Sequence, residues 1–357
     1  MKEKYYLQSD IAEITKNLEK HLKYFSGKKF LISGANGFLG KYFIKILITL
    51  NKKLKKKASI VAIDIKFDKC EIYSDRYVKK IKQDINNISK LNFKSDYVLH
   101  AAGIPSPKHY FKKPIEAIFT SITGTKKLLE YSKKSKSKFI FFSSSEIYGN
   151  PDNRNIPTSE KYEGRVSSIS DRSCYDESKR SGETYTYIYN KIYSLDTIII
   201  RPFNSYGPQY TQPYIIPEIM NQLLIQNKEL MLGNIDATRD FTYVSDTADA
   251  IIRSLSSKKA IGEIINVGSG NEISIRDLAL KISKIAKIKT KIRYDESRER
   301  PYDVNRLICN NKKAKTILDW TPKITMDQGL KKIFQWATAN RITFQAPFKR
   351  FYYKNSH

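Results

Sequence analysis

The chain has 357 residues, of which 40% are hydrophobic and 28% are charged. This length and composition allow a sizeable buried core and argue against global disorder. The net charge is +28, but the lysines are spread along the chain, so we favour a generally lysine-rich sequence over a nucleic-acid or membrane binder.

The cysteines and the apolar segments suggest a cytoplasmic protein. Cys70, Cys174 and Cys309 are odd in number and far apart, which predicts no disulfide framework and fits a reducing compartment. No zinc-like spacing of Cys and His appears, so we predict no metal site. The N-terminal segment lacks the apolar core of a signal peptide. The most apolar stretch, 42–50, is interrupted by Lys45 and is too short to span a membrane.

Residues 1–28 precede the first predicted strand and form an N-terminal extension. Asp10 with Glu13 resembles a helix N-cap box. Four apolar residues then fall on one helical face: Ile11, Ile14, Leu18 and Leu22. We therefore predict a short amphipathic helix that packs on the main body or on a second subunit.

Short apolar segments alternate with helical patterns along most of the chain. The predicted strands are 29–33, 59–63, 97–100, 139–143, 197–200 and 264–267. This alternation predicts an α/β fold, a Rossmann-type doubly wound parallel sheet with a smaller C-terminal substrate-binding lobe. We place the dinucleotide-binding domain at 29–200 and most of the substrate lobe, interleaved with it, at 201–340. A basic, aromatic tail follows at 341–357.

A glycine-rich turn follows the first predicted strand and opens the helix predicted at 41–50. Its glycines are spaced GxxGxxG, which lets backbone approach a pyrophosphate and lets helix and sheet pack closely. The N-terminus of the helix then presents free N–H groups to phosphate. The strand–turn–helix context favours dinucleotide binding over a purely structural turn. The predicted contact residues are Gly34, Asn36, Gly37, Phe38, Leu39 and Gly40.

Asp64 ends the second predicted strand, where a carboxylate can accept hydrogen bonds from the adenosine ribose. The same carboxylate would repel a 2′-phosphate, because two charges about 4 Å apart interact by on the order of 4 kcal/mol at an effective dielectric near 20. We therefore favour NAD over NADP, a preference that nearby Lys66 would soften. The alternative is an aspartate that only caps a loop.

Further cofactor contacts are predicted at two other segments. Asp84 and Ile85 follow a strand-like stretch and are placed at the adenine edge. The small residues Ala101, Ala102 and Gly103 follow the strand predicted at 97–100 and complete the predicted cofactor-binding set.

Tyr175 and Lys179 are four residues apart, so their side chains share one face of a helix. A tyrosine hydroxyl has a pKa near 10, and its pKa must fall by about three units, or roughly 4 kcal/mol, for it to act as a base near neutral pH. The Lys179 ammonium and a positively charged nicotinamide ring stabilise the phenolate. Together with the glycine turn, the pair predicts an enzyme that oxidises its substrate with NAD.

Residues 143–149 lie just past a predicted strand end, where ligands of open α/β sheets bind. Ser144 is placed to hydrogen-bond the sugar oxygen that is oxidised, and Glu146 to act as a general acid or base at the neighbouring carbon. The alternative is a polar turn without a catalytic role.

Together, these residues resemble those of the extended short-chain dehydrogenases/reductases of the NAD-dependent epimerase/dehydratase family. The resemblance covers about residues 28–340. It rests on the glycine turn, the Ser144…Tyr175-x-x-x-Lys179 set, and the segments 201–208, 239–244 and 266–268. It implies an enzyme that binds NAD, acts on a nucleotide-diphosphate sugar and forms a homodimer.

The resemblance also implies roles for individual residues. The catalytic set is Ser144, Glu146, Tyr175 and Lys179. The substrate-binding set is Tyr110, Ser145, Asn204, Arg239, Arg300 and Asp303, with the arginines on the phosphates.

Within the family, the segments 106–110, 145–149 and 162–177 are most similar to UDP-glucuronate decarboxylases. Ser121 and Gln209 depart from that pattern. The segments 232–240 and 300–304 look more like sugar-nucleotide dehydratases and epimerases. A decarboxylase that supplies surface-polysaccharide precursors is therefore the first expectation, with a 4,6-dehydratase and then a 4-epimerase as alternatives.

The expected chemistry begins in the same way in all three subgroups. Tyr175, assisted by Ser144, removes the proton of the sugar 4-hydroxyl while the nicotinamide accepts the hydride, which gives a 4-keto sugar. A carboxylate at carbon 6 would then leave as carbon dioxide and the hydride would return to carbon 4. With a 6-hydroxyl, Glu146 would instead take the carbon 5 proton, water would leave and the hydride would go to carbon 6. Epimerisation needs neither step, so Glu146 favours a lyase. A hypothesis of another class is a non-catalytic binder of nucleic acid or an anionic membrane.

Overall fold

The structure is a computed structural model that describes residues 5–88, 91–209, 214–225, 229–298 and 304–340. Its strands are β1 Lys29–Ser33, β2 Ser59–Asp64, β3 Val78–Lys82, β4 Tyr97–His100, β5 Lys138–Phe142, β6 Thr197–Pro202, β7 Asn204–Tyr206, β8 Glu229–Leu232, β9 Thr238–Tyr243, β10 Ile264–Val267, β11 Glu272–Ser274, β12 Lys291–Tyr294 and β13 Arg306–Leu307. Its helices are α1 Gln8–Asn17, α2 Phe38–Asn51, α3 Pro107–Tyr110, α4 Pro114–Ser135, α5 Ser173–Tyr193, α6 Ile215–Leu224, α7 Val244–Ser256, α8 Ile275–Ala286, α9 Lys312–Leu318 and α10 Met326–Asn340.

The main sheet contains seven parallel strands in the order β10-β6-β5-β4-β1-β2-β3. All six predicted strands belong to it, and the α/β Rossmann-type prediction is confirmed. Apart from the edge strand β3, the strands have at most one exposed residue each because helices cover both faces, which explains why they appear in the sequence as apolar runs. The strands that follow β1 in the sequence, β2 and β3, extend the sheet on one side. The strands that follow β4, namely β5, β6 and β10, extend it on the other side. The carboxyl ends of these two strands therefore form the crevice in which open α/β sheets bind ligands.

Short strands after residue 200 form two smaller sheets. One has the order β11-β9-β13, with β7 also paired to β9, and the other joins β12 to β8. The sequence analysis did not predict these strands, because they are short and polar residues interrupt them. They carry part of the predicted substrate-binding set, and the division into domains near residue 200 stays a prediction.

The N-cap prediction for Asp10 is wrong. Helix α1 begins at Gln8, and Asp10 lies inside it with its side chain fully buried. The carboxylate accepts hydrogen bonds from the Tyr243 hydroxyl at 2.8 Å and from Lys332 Nζ at 2.7 Å. Burial raises the pKa of Asp10, and the bond to Lys332 opposes this rise. Tertiary partners, rather than a local cap, therefore determine the position of this side chain.

The apolar face of α1 packs on the main body of its own chain. Ile11, Ile14 and Leu18 are buried in the large core, against α2 and α7. Of the two predicted arrangements, this is the packing that the structure shows. Among the described residues, no helix is both long and apolar enough to cross a bilayer.

Candidate active site

The glycine turn makes two close backbone approaches. Gly34 has a φ of +68°, and a Cβ there would lie 2.6 Å from the backbone of Ala101. A Cβ on Gly40 would collide with the Gly34 carbonyl oxygen. Only glycine permits this turn to lie against both the end of β4 and the start of α2. The turn therefore brings the N-terminus of α2 to the crevice between β1 and β4.

Asp64 lies at the end of β2 and holds the same turn from the other side. Its carboxylate accepts hydrogen bonds from the backbone N–H of Asn36 at 2.9 Å and of Lys66 at 3.3 Å. Burial raises the pKa of Asp64, and the backbone hydrogen bonds oppose this rise. The loop-capping alternative is thus observed, and the predicted bond to ribose remains compatible with it because a carboxylate offers about four acceptor positions.

A buried lysine that the sequence analysis did not select joins the turn to the loop after β2. Lys41, in the first turn of α2, is fully buried. Its ammonium donates to the Asn36 carbonyl and to the Asp68 carboxylate, the latter at 2.9 Å. Burial lowers the pKa of Lys41, and Asp68 opposes this effect. The unusual burial of this one lysine is invisible in a chain so rich in lysine.

The other predicted cofactor contacts occupy two environments. Asp84 caps its own short helical turn by accepting from Asn86 N–H at 2.8 Å, and Ile85 is buried in the second core cluster. Their placement at the adenine edge stays a prediction.

Residues 101–103 lie between the glycine turn and α5. Ala101 and Ala102 contact Gly34, and a Cβ on Gly103 would lie 3.3 Å from Lys179 Nζ. Residues 101–103 therefore link the glycine turn to the predicted catalytic lysine.

Tyr175 and Lys179 lie on the first two turns of α5 and are both buried. Lys179 Nζ donates to the Phe142 carbonyl at the end of β5, at 2.8 Å, and lies 5.8 Å from the centroid of the Tyr175 ring. Tyr110 stacks on Tyr175 with ring centroids 5.6 Å apart and planes inclined by 10°. The structure thus brings the predicted pair together and covers the phenol with a second aromatic ring.

Burial shifts both ionisations of this pair. It raises the pKa of Tyr175, and the hydrogen bond to Ser144 opposes the rise. It lowers the pKa of Lys179 to about 8, and Glu183 opposes that change. The protein groups around Tyr175 therefore favour the protonated phenol near neutral pH. A phenolate at Tyr175 requires further positive charge or hydrogen bonds when ligands bind.

Ser144 and Glu146 lie in a short helical turn directly after β5. Ser144 Oγ accepts from the Glu146 N–H at 3.2 Å, and Ser145 between them is buried. The Glu146 carboxylate forms an ion pair with the Arg172 guanidinium, whose Nε also lies 3.5 Å from an Asp176 carboxylate oxygen. One guanidinium thus serves two carboxylates beside the predicted base.

The sequence analysis included Arg172 in a segment typical of the decarboxylases but assigned it no role. Burial lowers and Glu146 raises its pKa, with a net increase, so Arg172 is a permanent cation. Burial raises the pKa of Asp176 despite Arg172. One sequence feature could have indicated this ion pair. Arg172 and Asp176 are four residues apart at the start of the helix that carries Tyr175, a spacing that brings two side chains together.

The predicted substrate residues fall into separate groups. Asn204, on β7, donates its side-chain amide to the Asp240 carbonyl at 3.2 Å. Arg239, on the paired strand β9, donates to its neighbour's carbonyl, Thr238 O, at 2.8 Å. Arg300 and Asp303 lie outside the described residues. A sugar-nucleotide contact by any of these four residues stays a prediction.

Comparisons with known proteins show which family and which enzymes this chain is similar to. The family model described as GDP-mannose 4,6 dehydratase matches residues 31–333. UDP-glucuronic acid decarboxylase 1 of Arabidopsis thaliana is 27% identical over 317 residues, which cover 85% of this chain and 68% of that protein.

Two solved structures extend the comparison. UDP-glucuronic acid 4-epimerase of Bacillus cereus, in complex with UDP-glucuronic acid and NAD, is 28% identical, covers 87% of this chain and 99% of that one, and has a TM-score of 0.77. The dTDP-glucose 4,6-dehydratase of Bacillus anthracis, in complex with NAD, is 25% identical, covers 88% of this chain and 97% of that one, and has a TM-score of 0.74.

The family match spans most of the chain and coincides with the Rossmann-type sheet, the glycine turn and the Tyr/Lys helix. This chain therefore belongs to the NAD-dependent epimerase/dehydratase family.

Proposed function

We propose that this chain is an NAD-dependent enzyme that acts at carbon 4 of a nucleotide-diphosphate sugar, and within that class a UDP-glucuronate decarboxylase. The observation that carries the proposal is the continuous contact from Gly34 through residues 101–103 to Lys179. This contact brings the glycine turn and the buried Tyr/Lys pair to one crevice, which supports a dinucleotide site beside the predicted base. A turn or a Tyr/Lys pair by itself would not support an oxidation.

The groups that surround the crevice fit NAD chemically. The N–H groups at the start of α2 suit the pyrophosphate, and the Asp64 carboxylate suits the ribose hydroxyls. Lys179 lies beside Gly103, where the chain comes close to the nicotinamide end of such a site. When bound, NAD supplies the hydride acceptor for carbon 4.

The chain's own residues carry out the proton transfer that accompanies this oxidation. Tyr175 removes the proton of the 4-hydroxyl, and Ser144 holds that oxygen through a hydrogen bond. Lys179, fixed by the Phe142 carbonyl, contributes the positive charge that stabilises the phenolate. Tyr110 stacks on the phenol and limits the access of water.

Glu146 and Arg172 support a lyase rather than a simple epimerase. They lie next to Ser144, and we place them on the carbon 5 and carbon 6 side of a sugar whose 4-hydroxyl would meet Ser144 and Tyr175. A carboxylic acid or carboxylate there suits proton transfer at carbon 5. The decarboxylase relatives favour loss of carbon dioxide as the step that follows oxidation.

Two other reactions are retained as alternatives. A 4,6-dehydratase would use Glu146 to take the carbon 5 proton, and the Bacillus anthracis structure supports this possibility. A 4-epimerase is supported by the Bacillus cereus structure, which contains UDP-glucuronic acid itself.

Mass analysis distinguishes the three reactions. The purified protein is incubated with NAD and UDP-glucuronate, UDP-glucose, dTDP-glucose or GDP-mannose. Loss of the mass of carbon dioxide from UDP-glucuronate supports the proposal, loss of water indicates a dehydratase, and a new isomer of equal mass indicates an epimerase. Tyr175→Phe should abolish the reaction, whereas Tyr294→Phe, at an exposed position on β12, should not. Turnover unaffected by Tyr175→Phe would exclude the proposed base.

The non-catalytic alternative has its own signature. Salt-sensitive retention on DNA or anionic vesicles, without turnover of any of the four sugar nucleotides and without NAD binding, would favour it. The buried Tyr/Lys/Ser arrangement supports the enzyme, because a binder that uses only its basic surface has no need of it.

We also propose a homodimer formed by α4 and α5. These helices pack against each other and expose large apolar side chains, including Ile115, Phe119, Tyr187 and Ile192. Pairing with a second copy would bury this surface in a four-helix bundle. Analytical ultracentrifugation should show a dimer that Phe119→Glu disrupts, whereas Leu280→Lys, an exposed apolar position on α8, should leave it intact. A monomeric wild-type protein would exclude the dimer.

A further inference from the structure

We propose that Lys41 and Asp68 form a positioning pair that makes the adenosine-ribose end of the site select NAD over NADP. The inference rests on the proposed function, because it concerns the dinucleotide that the site would hold. It assigns the selectivity to the ion pair between the buried Lys41 and the exposed Asp68, in addition to Asp64.

The Lys41 ammonium has a closed set of partners. Its side chain is 0% exposed, and it donates to the Asn36 carbonyl and to Asp68 Oδ2. The ammonium also lies 5.2 Å from the centroid of the Tyr5 ring, which comes from the N-terminal extension. A lysine buried in this way is costly unless it is paired, so Asp68 is the group that allows Lys41 to remain charged here.

The pair connects the two loops that would bind the adenosine half of NAD. Asn36 lies at the centre: its N–H donates to Asp64, and its side-chain Oδ1 accepts from Asp68 N–H at 3.1 Å and from the Tyr73 hydroxyl at 3.2 Å. Lys41 adds the bond to the Asn36 carbonyl. The position of the Asp64 carboxylate is thus fixed by a network to which both Lys41 and Asp68 contribute.

The charges in this network determine the preference for NAD over NADP. Asp68 neutralises Lys41, so a 2′-phosphate on a ribose held by Asp64 would meet carboxylates, and the exposed Lys66 beside them would only soften the repulsion. Removing the Asp68 charge would take away the anion that keeps Lys41 charged, so a 2′-phosphate bound beside it would become the group that pairs with the ammonium. Because lysine binds phosphate as a point charge, the site would then accept NADP more readily.

Three variants test this with isothermal titration calorimetry against NAD and against NADP. Asp68→Asn should raise the affinity for NADP relative to NAD by about tenfold or more. Lys41→Met should shift the ratio the other way, because only carboxylates remain. The double variant, which has the same net charge as the wild type, should return to the wild-type preference.

A matched pair on the same helix provides the control. Lys45 lies one turn beyond Lys41, 4.9 Å from the Tyr6 ring centroid, and pairs with Glu71 at 3.7 Å. Glu71→Gln should leave the NAD/NADP ratio unchanged.

The outcomes separate this inference from the proposed function. If the wild type binds NAD but neither Asp68→Asn nor Lys41→Met changes the ratio, or if Glu71→Gln changes it equally, the inference is wrong and the proposed function stands. If the wild type binds neither dinucleotide, the proposed function fails first. If Asp68→Asn does not fold, the inference is tested by Lys41→Met alone, in which the affinity ratio should shift further toward NAD.

Discussion

The Glu146 carboxylate and the Arg172 guanidinium form an ion pair between the turn after β5 and the start of α5. Arg172 is the residue that immediately precedes α5, and Tyr175 follows within the first turn of that helix. The pair therefore fixes the distance between a carboxylate and a phenol that come from different parts of the chain. This relationship ties the stability of the site to its proposed chemistry.

Arg172→Met should destabilise the protein strongly. Arg172 and Glu146 are only 13% and 21% exposed, and the substitution would remove the guanidinium that pairs with the carboxylates of both Glu146 and Asp176. Removing one partner of a buried pair costs about 3–5 kcal/mol, measured as the free energy of unfolding in urea. Arg180→Met removes an exposed pair with Glu177 and an exposed hydrogen bond to the Glu163 carbonyl, and it should cost only about 0–1 kcal/mol. Equal effects would mean that the buried cluster is not stabilising.

Glu146→Gln should separate binding from chemistry. The amide keeps the shape of the side chain but cannot transfer a proton, so product formation should fall by about 10²–10⁴-fold. Affinity for the sugar nucleotide, measured by calorimetry, should change little. Glu177→Gln, on the exposed side of α5, is the control. Wild-type turnover in Glu146→Gln would remove the proton-transfer role and favour the epimerase.

Much of the fold follows from the sequence because its main strands are buried on both faces. The strand at 29–33 is predicted with the bounds that the structure shows, and the glycine turn and the Tyr175/Lys179 pair are local patterns with fixed spacing. These features need no knowledge of distant contacts.

The ion pairs that complete the site could not be found in this way. Lys41 and Asp68 are 27 residues apart, and Glu146 and Arg172 are 26 apart, so only the folded chain shows that they meet. Asp10 shows the same limitation: its local sequence suggests a cap, but its partners lie more than 200 residues away. Charged residues acquire their roles from tertiary neighbours that a short pattern does not contain.

Lys179 should give the reaction an alkaline limit. Burial lowers its pKa to about 8, so the ammonium that stabilises the phenolate is present below that pH and is lost as the pH rises through it. The kcat/KM profile, which reports ionisations of the free enzyme, should therefore decline above about pH 8. Lys179→Arg, which stays protonated, should remove this decline even if its absolute rate is low. A decline that persists unchanged in Lys179→Arg would assign it to another group.

His100 should make the fold sensitive to acid. It lies at the end of β4, fully buried, with its ring nitrogens 2.7 Å from Ser33 Oγ and 3.0 Å from Thr125 Oγ1. Burial, followed by the charge of Lys179, lowers the pKa of His100 from 6.5 to about 3. Between these two pH values the unfolded chain binds a proton that the folded chain does not.

The contribution of His100 to stability is therefore fully present above pH 6.5 and is lost as the pH falls from about 6.5 toward about 3. A full difference of one bound proton corresponds to about 1.4 kcal/mol per pH unit. Urea unfolding at pH 7, 6 and 5 should show a steeper loss of stability in the wild type than in His100→Gln, whose side chain does not titrate. Because the comparison uses the slope with pH, it holds even if the substitution lowers stability at every pH. Identical slopes for the two proteins would show that His100 binds its proton equally well in the folded and unfolded states.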